Sequence, residues 1–123
     1  MRRWKMLEDN ILDILELSLN AASLRQKIYS ENIANIDTPG YKKYRVVFEE
    51  VLKEAIEDNQ DLSKISPIVV RNNVTSFRND GNNVDLDEEM TLMNQNALKY
   101  QSLVEFTRWF FNQFYTVAGG KRG

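Results

Sequence analysis

The sequence contains no cysteine and no histidine. The absence of cysteine excludes disulfide bonds, so cysteine usage gives no indication of the compartment in which the chain works. The absence of histidine removes the commonest zinc ligand and the commonest general base. The sequence also has no glycine-rich phosphate loop, no nucleophile elbow and no cluster of metal ligands. It therefore predicts no enzyme activity, no small-molecule substrate and no catalytic, cofactor-binding or metal-binding residue.

A basic stripe along the chain and long apolar runs are absent as well. The formal net charge is −2, with both signs interspersed, whereas nucleic-acid-binding proteins carry a basic patch or stripe. We therefore expect no nucleic-acid partner. No run approaches the roughly 20 apolar residues of a membrane span. The basic start at residues 1–5 is followed by acidic residues such as Glu8 and Asp9 rather than by an apolar segment, so we expect any export to proceed without a cleaved signal peptide.

Two acidic clusters fit structural roles better than chemical ones. Residues 80–91 superficially resemble a calcium loop, but Val84, Asp85 and Thr91 stand where an oxygen ligand, a glycine and a bidentate glutamate are needed. The carboxylates between residues 49 and 58 lie in a polar segment with nothing to desolvate them. We interpret the first cluster as helix-capping charge and the second as a solvated helix face.

Two long segments have the apolar spacing of helices. From about Met6 to Ile36 two neighbouring apolar stripes run along one face, which is broader than a two-stranded coiled coil needs. From about Leu86 to Val117 the apolar residues keep a strict three-four spacing. Asp85, followed three residues later by a glutamate, predicts an N-terminal capping box for this second helix.

The middle of the chain gives weaker signals. Residues 48–56 have the pattern of one short amphipathic helix. Residues 68–71 and 74–78 are strand-like and are separated by Asn72 and Asn73, which permit a tight turn. Because an isolated hairpin is marginal in water, we expect this segment to be mobile unless something packs on it.

These signals predict a mainly α fold. Two long terminal helices form an antiparallel, coiled-coil-like hairpin, and a short middle segment is partly disordered or contains a β-hairpin. We expect residues 1–42 to pack with residues 84–123, with 43–83 as a small flexible segment between them. Because a single helix pair buries one face of each helix, both helices would leave apolar surface for other subunits.

A motif follows the first helix. It reads Asn32-Ile33-Ala34-Asn35-Ile36-Asp37-Thr38-Pro39-Gly40-Tyr41-Lys42. Pro39 presets the second position of a type II turn, and Gly40 supplies the positive φ that the third position requires. Locally, this pattern predicts a helix stop and a turn.

This motif resembles the N-terminal signature of the bacterial flagellar rod and hook proteins. A second motif, residues 81–90 (GNNVDLDEEM), followed by residues 96–101 (NALKYQ), is similar to the C-terminal signature of the proximal-rod members of that family. The short middle segment fits the same members, because distal-rod and hook subunits carry larger insertions. The resemblance covers both terminal helices and their junctions.

The resemblance implies a structural, non-enzymatic subunit of the proximal rod in the flagellar basal body, on the periplasmic side of the inner membrane. The implied partners are further copies of the chain, FlgC-like rod proteins, a FliE-like adaptor between the rod and its base, and the flagellar type III export apparatus. The residues that match the family motifs are Asn32, Ala34, Asn35, Thr38, Pro39, Gly40, Tyr41, Lys42, Asn83, Val84, Asp85, Glu89 and Met90.

We expect one set of residues to face the other long helix or neighbouring subunits. This set consists of Leu7, Ile11, Ile14, Leu15, Ile28, Ile33, Met93, Tyr100, Val104, Phe111 and Phe114. Three alternatives stay open at this point: another, FlgC-like rod protein; a helical adaptor that does not polymerise; and a peripheral membrane protein that uses the aromatic residues 106–115. We favour protein interfaces for those aromatic side chains, because they surround the helix more widely than one contact face requires.

Overall fold

The computed structural model describes residues 2–74 and 78–117, and the side chains from position 9 onward except those of residues 115 and 117. In this part of the chain the order of elements is α1 (Arg2–Ala34), β1 (Tyr44–Val47), α2 (Glu49–Glu57), a 3₁₀ turn (Leu62–Lys64), β2 (Ile68–Arg71) and α3 (Leu86–Val117). The mainly α prediction, with long N- and C-terminal helices and a small antiparallel β element between them, is confirmed.

The two long helices pack antiparallel. Asn32 near the end of α1 contacts Glu89 near the start of α3, and Asn96 lies about two turns further along α3, against Ala22 and Gln26. The Asn96 amide donates to the Ala22 carbonyl at 2.7 Å and to the Gln26 side chain at 3.0 Å. At about 1.5 Å per residue, each helix is about 50 Å long.

A neighbouring face of α1 carries the apolar core. Leu17 and Ala21 pack against Phe48, Ala55 and Leu62, which come from α2 and the segments on either side of it. One part of the broad apolar face predicted for α1 therefore contacts α3, and another part contacts the middle segment.

The sheet differs from the hairpin that the sequence indicated. Ile68–Arg71 is a strand as expected, but its antiparallel partner is Tyr44–Val47 rather than residues 74–78. Val74 and Arg78 lie outside the strands, and residues 75–77 lie outside the described residues.

The pairing of β2 with β1 forms because α1 supports β1. Asn32 bonds both the N–H and the carbonyl of Tyr44, and Arg25 donates to the Val46 carbonyl. Asn72 therefore does not turn the chain into a hairpin. Its N–H extends the ladder by bonding to Lys43.

Candidate functional site

The first motif forms tight turns after α1 ends. The Thr38 N–H donates to the Asn35 carbonyl at 3.0 Å, and the Tyr41 N–H donates to the Thr38 carbonyl at 3.2 Å. Gly40 has a φ of +74°. The hydrogen bond across Pro39 and Gly40 and the positive φ are the two features that the predicted turn requires.

Asn82, in the second motif, closes the end of α1. Its side chain is fully buried, and its amide nitrogen lies 2.9, 3.0 and 2.9 Å from the carbonyl oxygens of Asn35, Ile36 and Thr38. These three carbonyls belong to the turn residues that directly follow α1. Asn82 therefore fixes the chain after α1 from a distant part of the sequence, while its own side-chain oxygen accepts from the Val84 N–H at 2.8 Å.

The two motifs also meet through their glycines. The Gly40 N–H donates to the Asp80 carbonyl at 2.7 Å, and the Lys42 ammonium donates to the Gly81 carbonyl. Gly81 has a φ of +79°, and a Cβ placed on it would lie 3.6 Å from the Gly40 Cα. That distance is an ordinary van der Waals contact, so the backbone conformation rather than space favours glycine at this position.

Asn83 joins the second motif to the sheet. Its side-chain oxygen accepts from the Lys43 N–H at 2.7 Å, and its amide donates to the carbonyls of Asn72 and Val74 at 2.9 and 3.1 Å. Its own N–H donates to the Tyr41 carbonyl. The segment that leads into α3 is therefore fixed to both β1 and the loop after β2.

Asn32 and Glu89 form the buried centre of this junction. Asn32 is fully buried and Glu89 is 2% exposed. The Asn32 amide donates to the Glu89 carboxylate at 3.1 Å, and the Asn32 oxygen accepts from the Tyr41 hydroxyl at 2.9 Å and from the Tyr44 N–H at 3.0 Å. Burial raises the pKa of the Glu89 carboxyl above its ordinary value, and the hydrogen bond from Asn32 opposes part of that rise.

A second polar cluster joins α1, α2 and α3. Arg25 donates two hydrogen bonds to the Glu49 carboxylate, at 2.6 and 2.9 Å, and Lys99 lies 3.5 Å from the same carboxylate. The hydrogen bond from Arg25 is the main reason that the pKa of Glu49 falls to about 2. Glu49 thus connects the start of α2 to both long helices.

Comparison with known proteins shows which family the chain belongs to. The family model described as "Flagella basal body rod protein" matches residues 12–42, which cover most of α1 and the turn after it. The flagellar basal body rod protein FlgB of Bacillus subtilis is 42% identical over 120 residues, which is 87% of this chain and 92% of that protein. The chain belongs to the FlgB family of flagellar basal body rod proteins. The FlgB proteins of Borreliella burgdorferi (32% identical, 86% of this chain and 93% of that protein) and Buchnera aphidicola (33% identical, 90% and 96%) agree with this.

Membership of the FlgB family makes the chain a structural subunit of the flagellar basal body rod. Its relatives are named as rod proteins, which are not enzymes. In the described residues, no group of three or more acidic side chains is arranged to hold a metal ion, and none of the helices is both long and apolar enough to cross a membrane.

The FlgB motif residues fall into two groups in the structure. Most lie in the junction described above. Of the others, Val84 is buried, Met90 is 45% exposed, Ala34 is the last residue of α1, and Asp85 caps α3 by accepting from the N–H groups of Asp87 and Glu88. The Glu88 side chain lies 3.4 Å from Lys43, and the observed cap contacts of the predicted capping box are those of Asp85.

The residues predicted to face the other helix or other subunits are not equally buried. Leu15 and Ile28 are buried, and Ile14, Ile33, Met93 and Val104 are half-buried. Exposed members are Ile11, Tyr100, Phe111 and Phe114, and the side chain of Leu7 lies outside the described residues. Phe106 and Trp109 add to the exposed aromatic surface of α3, and Trp109 is 54% exposed.

Sequence reasoning missed three contributors to the junction. Asn82 and Asn96 lie in the second motif, but the motif assigns neither side chain a contact, and nothing in the sequence indicates the pair of Arg25 and Glu49. Asparagine following a glycine just before a helix is the only local signal for Asn82. The carbonyls that Asn82 bonds lie more than forty residues earlier in the chain, so the sequence around Asn82 does not indicate them.

Proposed function

We propose that this FlgB-family chain is a proximal-rod subunit that assembles with its neighbours through α1 and α3. The observation that carries the proposal is the exposed aromatic surface of α3, formed by Phe106, Trp109, Phe111 and Phe114. Aromatic side chains that fill pockets on a partner contribute much of the binding energy of protein interfaces. In this proposal, residues 1–42 and 84–123 form the inner, helical part of the subunit, and residues 43–83 form a small outer segment.

The proposed neighbours are further copies of the chain, a FlgC-like rod protein and a FliE-like adaptor at the base of the rod. The aromatic residues of α3 point in several directions, since positions 109, 111 and 114 are spread around the helix. Such a distribution suits a subunit that contacts more than one neighbour at once.

We also propose that the chain reaches the periplasmic rod through the flagellar type III export apparatus and keeps its N-terminal residues. The absence of cysteine supports passage of an unfolded chain, because no disulfide has to be broken or re-formed. Mass spectrometry of the protein from isolated basal bodies tests this directly. Retention of the first residues is expected, and a shortened N-terminus would contradict it.

Deletion of the gene tests the rod assignment. We expect cells that do not swim and whose isolated basal bodies, viewed by electron microscopy, keep membrane rings but lack rod, hook and filament. A plasmid copy should restore all of these structures. Intact flagella in the deletion strain, with no second copy of the gene, would reject the assignment and favour an adaptor that does not polymerise.

A further inference from the structure

An open groove runs between α1 and α3 on the side of the helix pair that faces away from the middle segment. Small side chains, those of Ala22, Ser23 and Ala97, form part of its walls, and its volume is about 350 Å³. The middle segment lies on the other side, because Glu49 contacts Lys99, which is about 200° around α3 from Ala97. In a single copy of the chain the groove is therefore left uncovered.

The walls of the groove are uncharged, and its buried amide is already paired. Asn96 is buried, and its amide donates to the Ala22 carbonyl and to the Gln26 side chain. Tyr100 is 41% exposed and adds an aromatic surface to one wall. None of the described residues that line the groove carries a charge. An occupant would therefore find no charge to neutralise and no buried amide to satisfy, which suits an uncharged aromatic ring.

Phe106 and Trp109 form an aromatic projection further along α3. Their rings pack against each other with centroids 5.6 Å apart, and the two side chains are 48% and 54% exposed. The charged residues next to them in sequence, Glu105 and Arg108, pair with each other at 2.9 Å. The projection is therefore apolar, and the charges beside it cancel.

The projection and the groove lie on opposite sides of one helix. Phe106 follows Ala97 by nine residues, and Trp109 follows Tyr100 by nine residues. Nine residues are about two and a half turns of an α-helix, which places the two members of each pair on opposite sides. Because α3 is one continuous helix, its projection cannot enter its own groove.

We propose that, in the assembled rod, Phe106 and Trp109 of one copy of the chain occupy the groove between α1 and α3 of the next copy. The proposal rests on the rod function proposed above and names the surface that receives these aromatic side chains. Large rings that enter a groove lined by small, uncharged side chains bury apolar surface without leaving a charge unpaired.

A second copy is the occupant because one chain carries both surfaces and presents them in opposite directions. Each copy can therefore use its projection toward one neighbour and its groove toward another at the same time. The two surfaces are different, so the contact is head-to-tail. Contacts of this type generate rings or open helical arrays rather than closed pairs.

Cross-linking in isolated basal bodies tests the contact. The chain has no cysteine, so Ser23→Cys at the groove and Gln113→Cys, one turn beyond Trp109, introduce the only thiols of the protein. Within one copy these positions are about 24 Å apart along the helix pair, too far for a short bis-maleimide reagent. In strains whose only copy carries both substitutions, the reagent should produce linked dimers and longer chains. Either substitution alone should yield monomer, and so should Ser23→Cys combined with Arg108→Cys, whose thiol lies about 140° around α3 from position 113.

Three results would overturn the proposal. The first is the absence of linked copies from the double variant in basal bodies that contain a complete rod. The second is efficient dimerisation of either single variant, which would indicate a symmetric contact. The third is an equal yield of linked copies from the control with Arg108→Cys. A complete rod without the link would leave the rod function standing, whereas intact flagella after gene deletion would reject that function itself.

An exchange of side-chain size provides a readout that does not depend on cross-linking. Trp109→Ala removes the projection and Ser23→Phe fills the groove, so each alone should reduce the rate of spreading in soft agar several-fold. The two together should spread faster than either, because the new ring occupies the space that the indole leaves. Asn20→Phe, at an exposed position of α1 that does not line the groove, is the control and should spread normally. A double variant that spreads no better than the single variants would contradict the proposed contact.

Discussion

The Asn82 side-chain amide donates to three carbonyls that lie 44 to 47 residues earlier in the chain. Asparagine suits this position because its amide donates toward the end of α1 while its oxygen accepts from the Val84 N–H. Both parts of the side chain are therefore used, at a site that water does not reach. At the scale of single residues, the fold depends on a few such asparagines rather than on a large apolar core.

We predict that Asn82→Ala lowers the free energy of unfolding by about 1–3 kcal/mol, because three carbonyls each lose one of their donors and the Val84 N–H loses its side-chain acceptor. Asn82→Asp should be at least as damaging, since an ionised carboxylate places negative charge against carbonyl oxygens. Chemical denaturation followed by circular dichroism measures both. Asn73→Ala, at an exposed asparagine in the same segment, is the matched control and should change stability by less than about 0.5 kcal/mol. Equal effects at positions 73 and 82 would contradict the role given to Asn82.

Gly40 tests the turn of the first motif. Its φ is +74° and nothing lies within 4 Å of where a Cβ would stand, so only the backbone conformation resists a side chain. We predict a loss of stability and of swimming that increases from Gly40→Asn to Gly40→Ala to Gly40→Val, with about 1–2 kcal/mol for alanine. Asparagine is the mildest change because it adopts positive φ more readily than other residues. Normal swimming with valine at this position would show that the turn assignment is wrong.

At the scale of elements, α3 was the most predictable part of the chain. Its predicted range, from about Leu86 to Val117, agrees with the structure, because strict apolar spacing and the cap at Asp85 both act locally. The first helix ends at Ala34, slightly before the predicted Ile36, because the next residues already form turns. The pairing of β2 could not be read locally, since β1 is held in place by side chains of α1 that are distant in sequence.

The contact between α1 and α2 predicts a dependence of stability on pH. Glu49 has an ordinary pKa of 4.5 and a folded-state pKa of about 2, chiefly because Arg25 donates to its charged form. A lowered carboxyl pKa stabilises the fold above pH 4.5, and that stabilisation is lost as the pH falls from 4.5 toward 2. Because the Glu49 side chain is 55% exposed and screened by solvent, we expect a contribution below about 1 kcal/mol.

Thermal unfolding of the original chain and of Glu49→Gln at pH 6 and pH 2.5 measures this contribution. The glutamine variant should be less stable at pH 6, and the difference should shrink at pH 2.5 and in high salt. Glu57→Gln, at an exposed carboxylate of the same helix that forms no ion pair within the described residues, is the control. A difference that persists unchanged at pH 2.5 would show that the pair with Arg25 does not stabilise the fold through charge.

At the scale of the whole molecule, burial is unevenly distributed. The end where α1 and α3 meet the two motifs is closed by fully buried polar side chains, whereas α3 beyond residue 105 keeps large aromatic residues exposed. The sequence predicted the helical hairpin and its surplus of apolar surface, because both follow from periodicity. The buried junction could not be predicted, because it depends on which distant polar groups come into contact. Periodicity gives no information about such contacts.

Substitution of Trp109 distinguishes an effect on assembly from an effect on folding. Its side chain is 54% exposed, so Trp109→Ala should change the free energy of unfolding by less than about 0.5 kcal/mol. Swimming should nevertheless fall sharply if this surface contacts neighbours in the rod, because loss of a buried aromatic anchor at an interface typically costs about 2 kcal/mol or more. Arg108→Ala, at an exposed neighbour on the same helix, is the control and should swim normally. Unimpaired swimming of the tryptophan variant would remove Trp109 from the proposed interface.

Electron cryomicroscopy of isolated basal bodies, at a resolution that shows side chains, tests the central claim most directly. The claim is that one end of the subunit is a closed polar junction while α3 supplies the surface for assembly. We predict antiparallel α1 and α3, Asn82 bonded to the carbonyls at the end of α1, and Trp109 and Phe111 covered by neighbouring subunits. A rod in which these aromatic side chains face solvent, or in which the second motif has separated from the end of α1, would contradict the account.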